Sequence, residues 1–255
     1  MNIPFRELRV AVAGGSGTVG RHVVDLLRAA GHEPVVLTRA SGVDLLDGTH
    51  LAGALQGVEA VVDVSSTSTA SAKRSTRFFE TVTRNLLGAE REAGVGHHVA
   101  LSVIGAERVG ASYYAGKAAQ ERVIMAEPGG WSLLRVAQFH ELTEFLVDNY
   151  HVGPLRVVPQ MRAQPIAAAE VAAELVSIAL GAPRGLVRDL AGPREERVSD
   201  MVRRYLRATG KSRPVLEVFV PGAWGRGMRS GTFLPAPGTR QSRQSFEVWL
   251  DDVAR

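Results

Sequence analysis

Apolar and polar positions along the first half of the chain follow two alternating periods, one suited to buried strands and one to amphipathic helices. Leu8–Ala13 is a short apolar run, and Glu33–Thr38, Ala60–Val64, His98–Ser102 and Trp131–Val136 repeat it. Such runs predict strands buried on both faces. Between them lie stretches with helical spacing. In Thr18–Ala30, Val19, Val23, Leu26 and Leu27 recur on one face, and Gly31 supplies a stop. In Ser75–Ala93, Phe78, Val82, Leu86 and Ala89 form a stripe. Tyr113–Ala126 is a third helix, broken by Pro128-Gly129-Gly130. Gly42–Leu46 reads as a short further strand, His50–Leu55 as a short helix and Ser65–Ser71 as a Ser/Thr-rich loop. Strands alternating with helices predict a parallel sheet covered on both faces, an α/β fold.

The pattern changes after Val136. Phe139–Tyr150 is a helix, followed by punctuation at Pro154, Pro159 and Pro165. Ala167–Leu180 is a strongly apolar helix, Gly185–Leu190 a short strand and Val198–Thr209 a helix. Gly222–Gly238, rich in Gly and Pro, reads as loop, and Ser242–Val253 closes the chain as a helix. There is no internal repeat. Residues 1–136 form a core, and residues 137–255 a small lobe whose elements return to it within one compact domain. This lobe is expected over the C-terminal edge of the sheet, where ligands sit in open α/β folds.

The first strand runs straight into Gly14-Gly15-Ser16-Gly17-Thr18-Val19-Gly20, which opens the first helix. That context turns a glycine triplet into a candidate dinucleotide-binding loop of a Rossmann-type doubly wound sheet. Gly14 permits the tight turn, Gly17 lets backbone approach a pyrophosphate, and Gly20 lets helix pack on strand. The pyrophosphate would sit on a helix N-terminus, among free N–H groups and a favourable dipole. At the end of the second strand a carboxylate would select NAD, whereas Thr38-Arg39-Ala40 carries none. Arg39 suits the 2′-phosphate, so NADP(H) is favoured and NAD(H) stays open. Asp44-Leu45 suits either the adenine or a plain turn. Ser65-Ser66 suits close approach to phosphate or an ordinary polar loop. Lys73, Arg74 and Arg77 read as a solvated helix start.

A second constellation is Ser102, Tyr113 and Lys117. Tyr113 and Lys117 are spaced i, i+4 and share a helix face. An ammonium beside a phenol lowers its pKa and readies it for acid–base work, while a strand-end Ser102 could hold a carbonyl oxygen. Tyr114, Gln138 and His140 are candidate substrate contacts, each with a structural alternative. Trp224, Met228 and Phe233 line a pocket or fill the core. His97-His98 has no carboxylates at ligand spacing, and no metal is expected.

Composition narrows the classes. The chain has 255 residues, 45% hydrophobic, with no cysteine, which excludes disulfide, thiol and cysteine-zinc chemistry. Its 30 basic and 26 acidic residues leave a net charge of +4 without a basic block, so no nucleic-acid partner is expected. Met1–Arg9 lacks the apolar run of a signal peptide, and no stretch approaches a spanning helix, so a cytoplasmic protein with no membrane partner is expected. The apolar helices leave a homodimer open.

Together these motifs resemble the atypical short-chain dehydrogenase/reductases, in particular the NmrA-like NAD(P)H-binding group. The likeness runs through Gly14–Gly20, Leu37-Thr38-Arg39, Gly42–Leu46, Gly57–Asp63, Ala93–Ser102, Tyr113–Lys117, Leu134–Phe139 and Gln164–Val171. It implies that the glycine loop holds pyrophosphate, Arg39 the 2′-phosphate and Asp44-Leu45 the adenine. It also implies a Ser102–Tyr113–Lys117 catalytic set, with Lys117 on the nicotinamide ribose. The usual relay asparagine has no match: Thr81 falls near its place and Asn85 about a turn late. Three activities follow: an NADP(H)-dependent reductase of a carbonyl, enone or quinone; a non-enzymatic redox sensor; and a nucleotide-sugar epimerase or dehydratase.

Overall fold

A computed structural model describes residues 6–255, so Met1–Phe5 of the N-terminal segment read above lie outside the described residues. Five strands carry the architecture: β1 (Arg9–Ala13), β2 (Glu33–Leu37), β3 (Ala60–Asp63), β4 (His97–Val103) and β5 (Trp131–Val136). They pair in parallel in the order β5-β4-β3-β1-β2. Short parallel strands at Gly185–Leu186, Leu190–Ala191 and Arg240–Gln241 extend the sheet beyond β5. The helices are α1 (Gly20–Ala29), α2 (Leu51–Ala54), α3 (Ala72–Ala93), α4 (Ala106–Val109), α5 (Ser112–Met125), α6 (Leu142–Asn149), α7 (Ala168–Ala179), α8 (Val198–Ala208), α9 (Gly222–Ser230) and α10 (Phe246–Val253). The fold is a Rossmann-type α/β sheet, as the periodicity predicts.

Strand parity sorts the core into layers. Val10, Val12, Val62, Val99 and Leu101 face α1 and α7, where Val23, Leu27, Val171 and Leu175 meet them. Ala11, Ala13 and Val61 face the other side, against Val82, Leu86 and the residues around α2. Burying a Val or Leu side chain contributes about 1.5–3 kcal/mol, so these two layers fix the sheet against its helices. A third cluster joins α6, α8, α9 and α10 around Val158, Met201, Phe233 and Phe246. Small strands at Leu155–Pro159, His151–Val152 and Val215–Val218 lie beside it and carry too few residues for periodicity to reveal.

Two expectations need correction. Gly42–Leu46 is not a strand. Thr38 caps a 3-10 turn at Arg39–Ser41, Gly42 is left-handed at φ 79°, and Asp44 Oδ1 accepts from Leu46 N–H at 2.9 Å. The chain therefore bends away, and the main sheet ends at β2. Gly222–Gly238 is not all loop, because α9 occupies its first half. Trp224 and Met228 sit i, i+4 on the face of α9 turned to the third cluster. Gly225 serves packing there: a Cβ would lie 1.7 Å from the Val220 carbonyl oxygen. Among the described residues no helix is long and apolar enough to cross a membrane.

Candidate active site

A cleft of about 1170 Å³ opens over the C-terminal ends of β1–β5. It runs from the glycine loop, past the turn after β2 and the loop after β3, to the start of α5 and then to α6 and α9. One crevice thus contains most of the candidates drawn from five separate segments of sequence.

The glycine loop is built for close contact. Gly14 is left-handed at φ 82°, and a Cβ there would lie 2.9 Å from the Val64 carbonyl oxygen and from Ser65 Cα. A Cβ on Gly20 would lie 2.2 Å from the Gly14 carbonyl oxygen. Gly15 and Gly20 are buried beneath the loop, while Gly14, Ser16, Gly17, Thr18 and Val19 line the cleft. No side chain caps α1; Arg21 N–H turns back to the Gly17 carbonyl at 3.1 Å, and the helix N-terminus with its dipole still faces the cleft. Ser65 adds a buried hydroxyl with no hydrogen-bond partner at the same point. An uncapped helix start, an unpartnered hydroxyl and a loop with no room for side chains together fit a pyrophosphate.

Thr38, Arg39, Asp44 and Leu45 line the far end. Arg39 is exposed at the rim and, among the described residues, no carboxylate pairs with it. The Asp44–Leu46 loop is fixed from α3: Asn85 Nδ2 donates to the carbonyls of Leu45 at 2.9 Å and Leu46 at 3.0 Å. Lys73, Arg74 and Arg77 are exposed on the first turns of α3.

At the other end Tyr113 lies in the first turn of α5, directly after Ser112, which is held left-handed at φ 54°. The Ser75 hydroxyl donates to the Tyr113 carbonyl at 2.8 Å and fixes this turn. The Tyr113 ring lies edge-on to Phe79 and Tyr114, and its phenol shares a 3.3 Å hydrogen bond with the Ser66 hydroxyl. Burial pushes the phenol up to about 12; the Ser66 bond opposes this and nearby Asp63 adds to it. The expected pairing of ammonium and phenol is not what the side chains form. Lys117 Nζ donates instead to the Leu101 carbonyl at 2.8 Å and to Gln120 Oε1 at 2.9 Å, and lies over the Phe79 ring. Burial lowers Lys117 to about 8, against the pull of Asp63 and Glu121.

Ser102 forms part of the cleft floor, but its hydroxyl turns beneath α5 and donates to Glu121 Oε1 at 2.6 Å. The same carboxylate takes Arg135 Nε at 3.0 Å. Parity explains this: Ser102 belongs to the β4 face that meets α5, opposite Leu101. The hydroxyl beside Tyr113 is that of Ser66, which the sequence assigns only to the cofactor.

Among the substrate candidates, Tyr114 stacks on Phe233 at 4.2 Å, and Gln138 lies beside it at the cleft wall. His140 does not reach the cleft. Its ring is fully buried against Phe246 and Trp249, with Nε2 3.3 Å from the Gln244 carbonyl. Burial lowers its pKa to about 4. Between about pH 6.5 and 4 the unfolded chain therefore binds a proton that the folded chain refuses, and stability falls as pH drops through that window. His140→Gln is expected to flatten up to about 3 kcal/mol of this loss in urea melts across the window. An unchanged slope would mean that another group carries it.

Met228 and Phe233 fill the core, while Trp224 reaches the cleft with Leu142, Phe145 and Tyr150. The last three were not singled out from the sequence. His97 bonds Ser132 Oγ at 2.8 Å and His98 bonds Glu90 at 2.8 Å. Among the described residues no cluster of three His, Asp or Glu side chains could hold a metal.

The model of the NAD(P)H-binding family matches residues 14–181, from the glycine loop to the end of α7. The chain belongs to that family. Solved structures extend the likeness of fold over nearly the whole of this chain. A short-chain dehydrogenase/reductase superfamily protein from Agrobacterium tumefaciens with bound NAD is 18% identical, with a TM-score of 0.71 over 96% of each chain. An NADPH-dependent quinone oxidoreductase from Escherichia coli is 15% identical, with a TM-score of 0.67 over 96% of this chain and 100% of that one. A UDP-N-acetylglucosamine 4-epimerase from Bacillus cereus is 19% identical, with a TM-score of 0.70 over 97% and 96%. At these identities the likeness is one of fold. No curated protein sequence matches the chain significantly.

Proposed function

We propose that this protein is an NADP(H)-dependent reductase of an uncharged carbonyl, enone or quinone. The observation that carries the reading is the continuity of the cleft, with an anion cradle at one end and a protonated phenol at the other. A bound dinucleotide supplies hydride from its nicotinamide ring; everything else is the work of the chain. The N-terminus of α1 and Ser65 hold the pyrophosphate, and Arg39 holds the 2′-phosphate. Lys117 keeps one of its three N–H donors free for the ribose, since Leu101 and Gln120 take two. Tyr113 donates its proton to the substrate oxygen, with Ser66 beside it to orient the transfer. A phenol held near 12 stays protonated through the neutral range, which favours proton donation over proton removal.

Charge argues for this over nucleotide-sugar chemistry. Beyond Tyr113 the wall consists of Gln138, Phe139, Leu142, Phe145, Tyr150 and Trp224, with Glu141 as its carboxylate. The basic residues lining the cleft are Arg39 and Lys117, both engaged at the cofactor end. A second diphosphate would meet apolar rings and a carboxylate, a desolvated charge without a partner. The sensor reading draws on a different observation, the absence of a direct Lys117–Tyr113 contact in this arrangement. Turnover of NADPH against a panel of quinones, enones and aldehydes decides between them: none on any member, with NADPH bound, would favour the sensor.

Cofactor choice has its own test. Arg39→Ala removes one charge-assisted phosphate contact, worth about 1.5–3 kcal/mol. NADPH affinity is expected to fall roughly ten- to a hundredfold, with NADH little changed, by fluorescence titration. Equal weakening of both would put the 2′-phosphate elsewhere.

A further inference from the structure

Asp63 is a carboxylate at the C-terminal end of the otherwise apolar strand β3, fully buried, and Gln120 is fully buried on α5 beside it. Neither has a part in the chemistry above. Their hydrogen bonds form a chain. Gln120 Nε2 donates to Asp63 Oδ2 at 2.8 Å, and Gln120 Oε1 accepts from Lys117 Nζ at 2.9 Å. The other carboxylate oxygen, Oδ1, accepts from the backbone N–H of Ser65 at 2.9 Å. Ser65 is the residue on which Gly14 rests. We propose that Asp63 and Gln120 are positioning residues, a carboxylate–amide clamp that holds the Lys117 ammonium at the cleft floor in register with the glycine loop.

The chemistry of the three groups dictates the arrangement. A carboxylate only accepts, an ammonium only donates, and an amide has one end of each kind. A single orientation of Gln120 satisfies both neighbours. The intervening amide keeps the negative charge one side chain removed, close enough to favour the charged lysine and far enough to leave a donor free. The remaining groups around Lys117 fit this division. Phe79 on α3 and the Leu101 carbonyl on β4 confine the ammonium. Glu121, on its own helix, is occupied by Ser102 and Arg135, and the Tyr113 phenol by Ser66.

The clamp depends on the proposed function only for its purpose, the presentation of Lys117 to a cofactor. Its physical content is testable without turnover. The chain has three lysines, Lys73, Lys117 and Lys211. Labelling with lysine carrying ¹³C at the ε-carbon therefore gives three titrating NMR signals, assigned with Lys73→Arg and Lys211→Arg. Asp63→Asn and Gln120→Met should each move the Lys117 titration down by about one pH unit, as expected when a nearby opposite charge or its hydrogen-bonded relay is lost. In the unmodified protein the Gln120 side-chain amide signals should shift in step with Lys117. Both variants should weaken NADPH several-fold with the Arg39 contact intact. An unmoved Lys117 titration in a folded variant, or Gln120 signals indifferent to Lys117, would overturn the clamp. Failure of the unmodified protein to bind NADPH would count against the proposed function instead, and the NMR titration would still decide the clamp.

Discussion

Tyr113→Phe is expected to cut turnover of NADPH with any accepted substrate by about two to four orders of magnitude, the usual worth of a positioned general acid. Cofactor affinity should stay within about twofold, because phosphate and ribose are held by other residues. The substitution keeps the ring. Its edge contacts with Phe79 and Tyr114 survive, so a loss of rate cannot be ascribed to a collapsed site. The Ser66 hydroxyl loses its partner, but it is exposed and water replaces the phenol. Because the phenol sits near 12, its ionisation should leave the rate flat across the neutral range. A limb near 8 would report Lys117, the other titrating group at the cleft floor. Turnover undiminished by the substitution would remove Tyr113 from the chemistry, and with it the strongest ground for calling this protein a reductase.

How much of this could be read from the chain depends on the range over which each residue acts. The glycine loop, Arg39, the Tyr113 turn and all five main strands are local patterns, and the sheet brings them to one edge by its topology alone. Where side chains point is a different question. Ser102 ends a strand before a Tyr–Lys pair, which suggests a catalytic hydroxyl, yet strand parity turns that hydroxyl under α5. Lys117 shares a helix face with Tyr113, but the Leu101 carbonyl and Gln120 compete for its protons and win. Parity could have been counted in advance; the competition could not. Two further signals lie in the chain itself. Asp63 interrupts the apolar run Ala60–Val64, and Gln120-Glu121 follows Lys117 at i+3 and i+4. Polar residues at core positions need partners, so each announces a buried contact. The cleft wall from Leu142, Phe145, Tyr150 and Trp224 carried no such signal, because it depends on how α6 and α9 dock.

Glu121→Ala is expected to be the most damaging single change to stability near the site. Glu121 is 1% exposed and binds both Ser102 and Arg135, whose side chain is itself only 17% exposed. Its removal leaves a largely buried guanidinium with Glu107 at 4.0 Å and the charge of Asp189 nearby in place of a direct hydrogen-bonded partner, together with an unpaired hydroxyl. Removing one partner of a buried pair costs about 3–5 kcal/mol, because the surviving charge keeps its desolvation penalty. For a chain of this size that lowers Tm by roughly 10 °C or more. Ser102→Ala, which removes a neutral donor and leaves the ion pair in place, should cost about 1–2 kcal/mol. The two variants separate the roles assigned to Ser102. If its hydroxyl serves Glu121, Ser102→Ala loses stability in urea melts and keeps most of its turnover with unchanged NADPH affinity. If it serves the substrate, turnover falls as steeply as in Tyr113→Phe while the melt barely moves. Glu121 would then hold Arg135 alone, and the 2.6 Å bond would have to break whenever substrate binds.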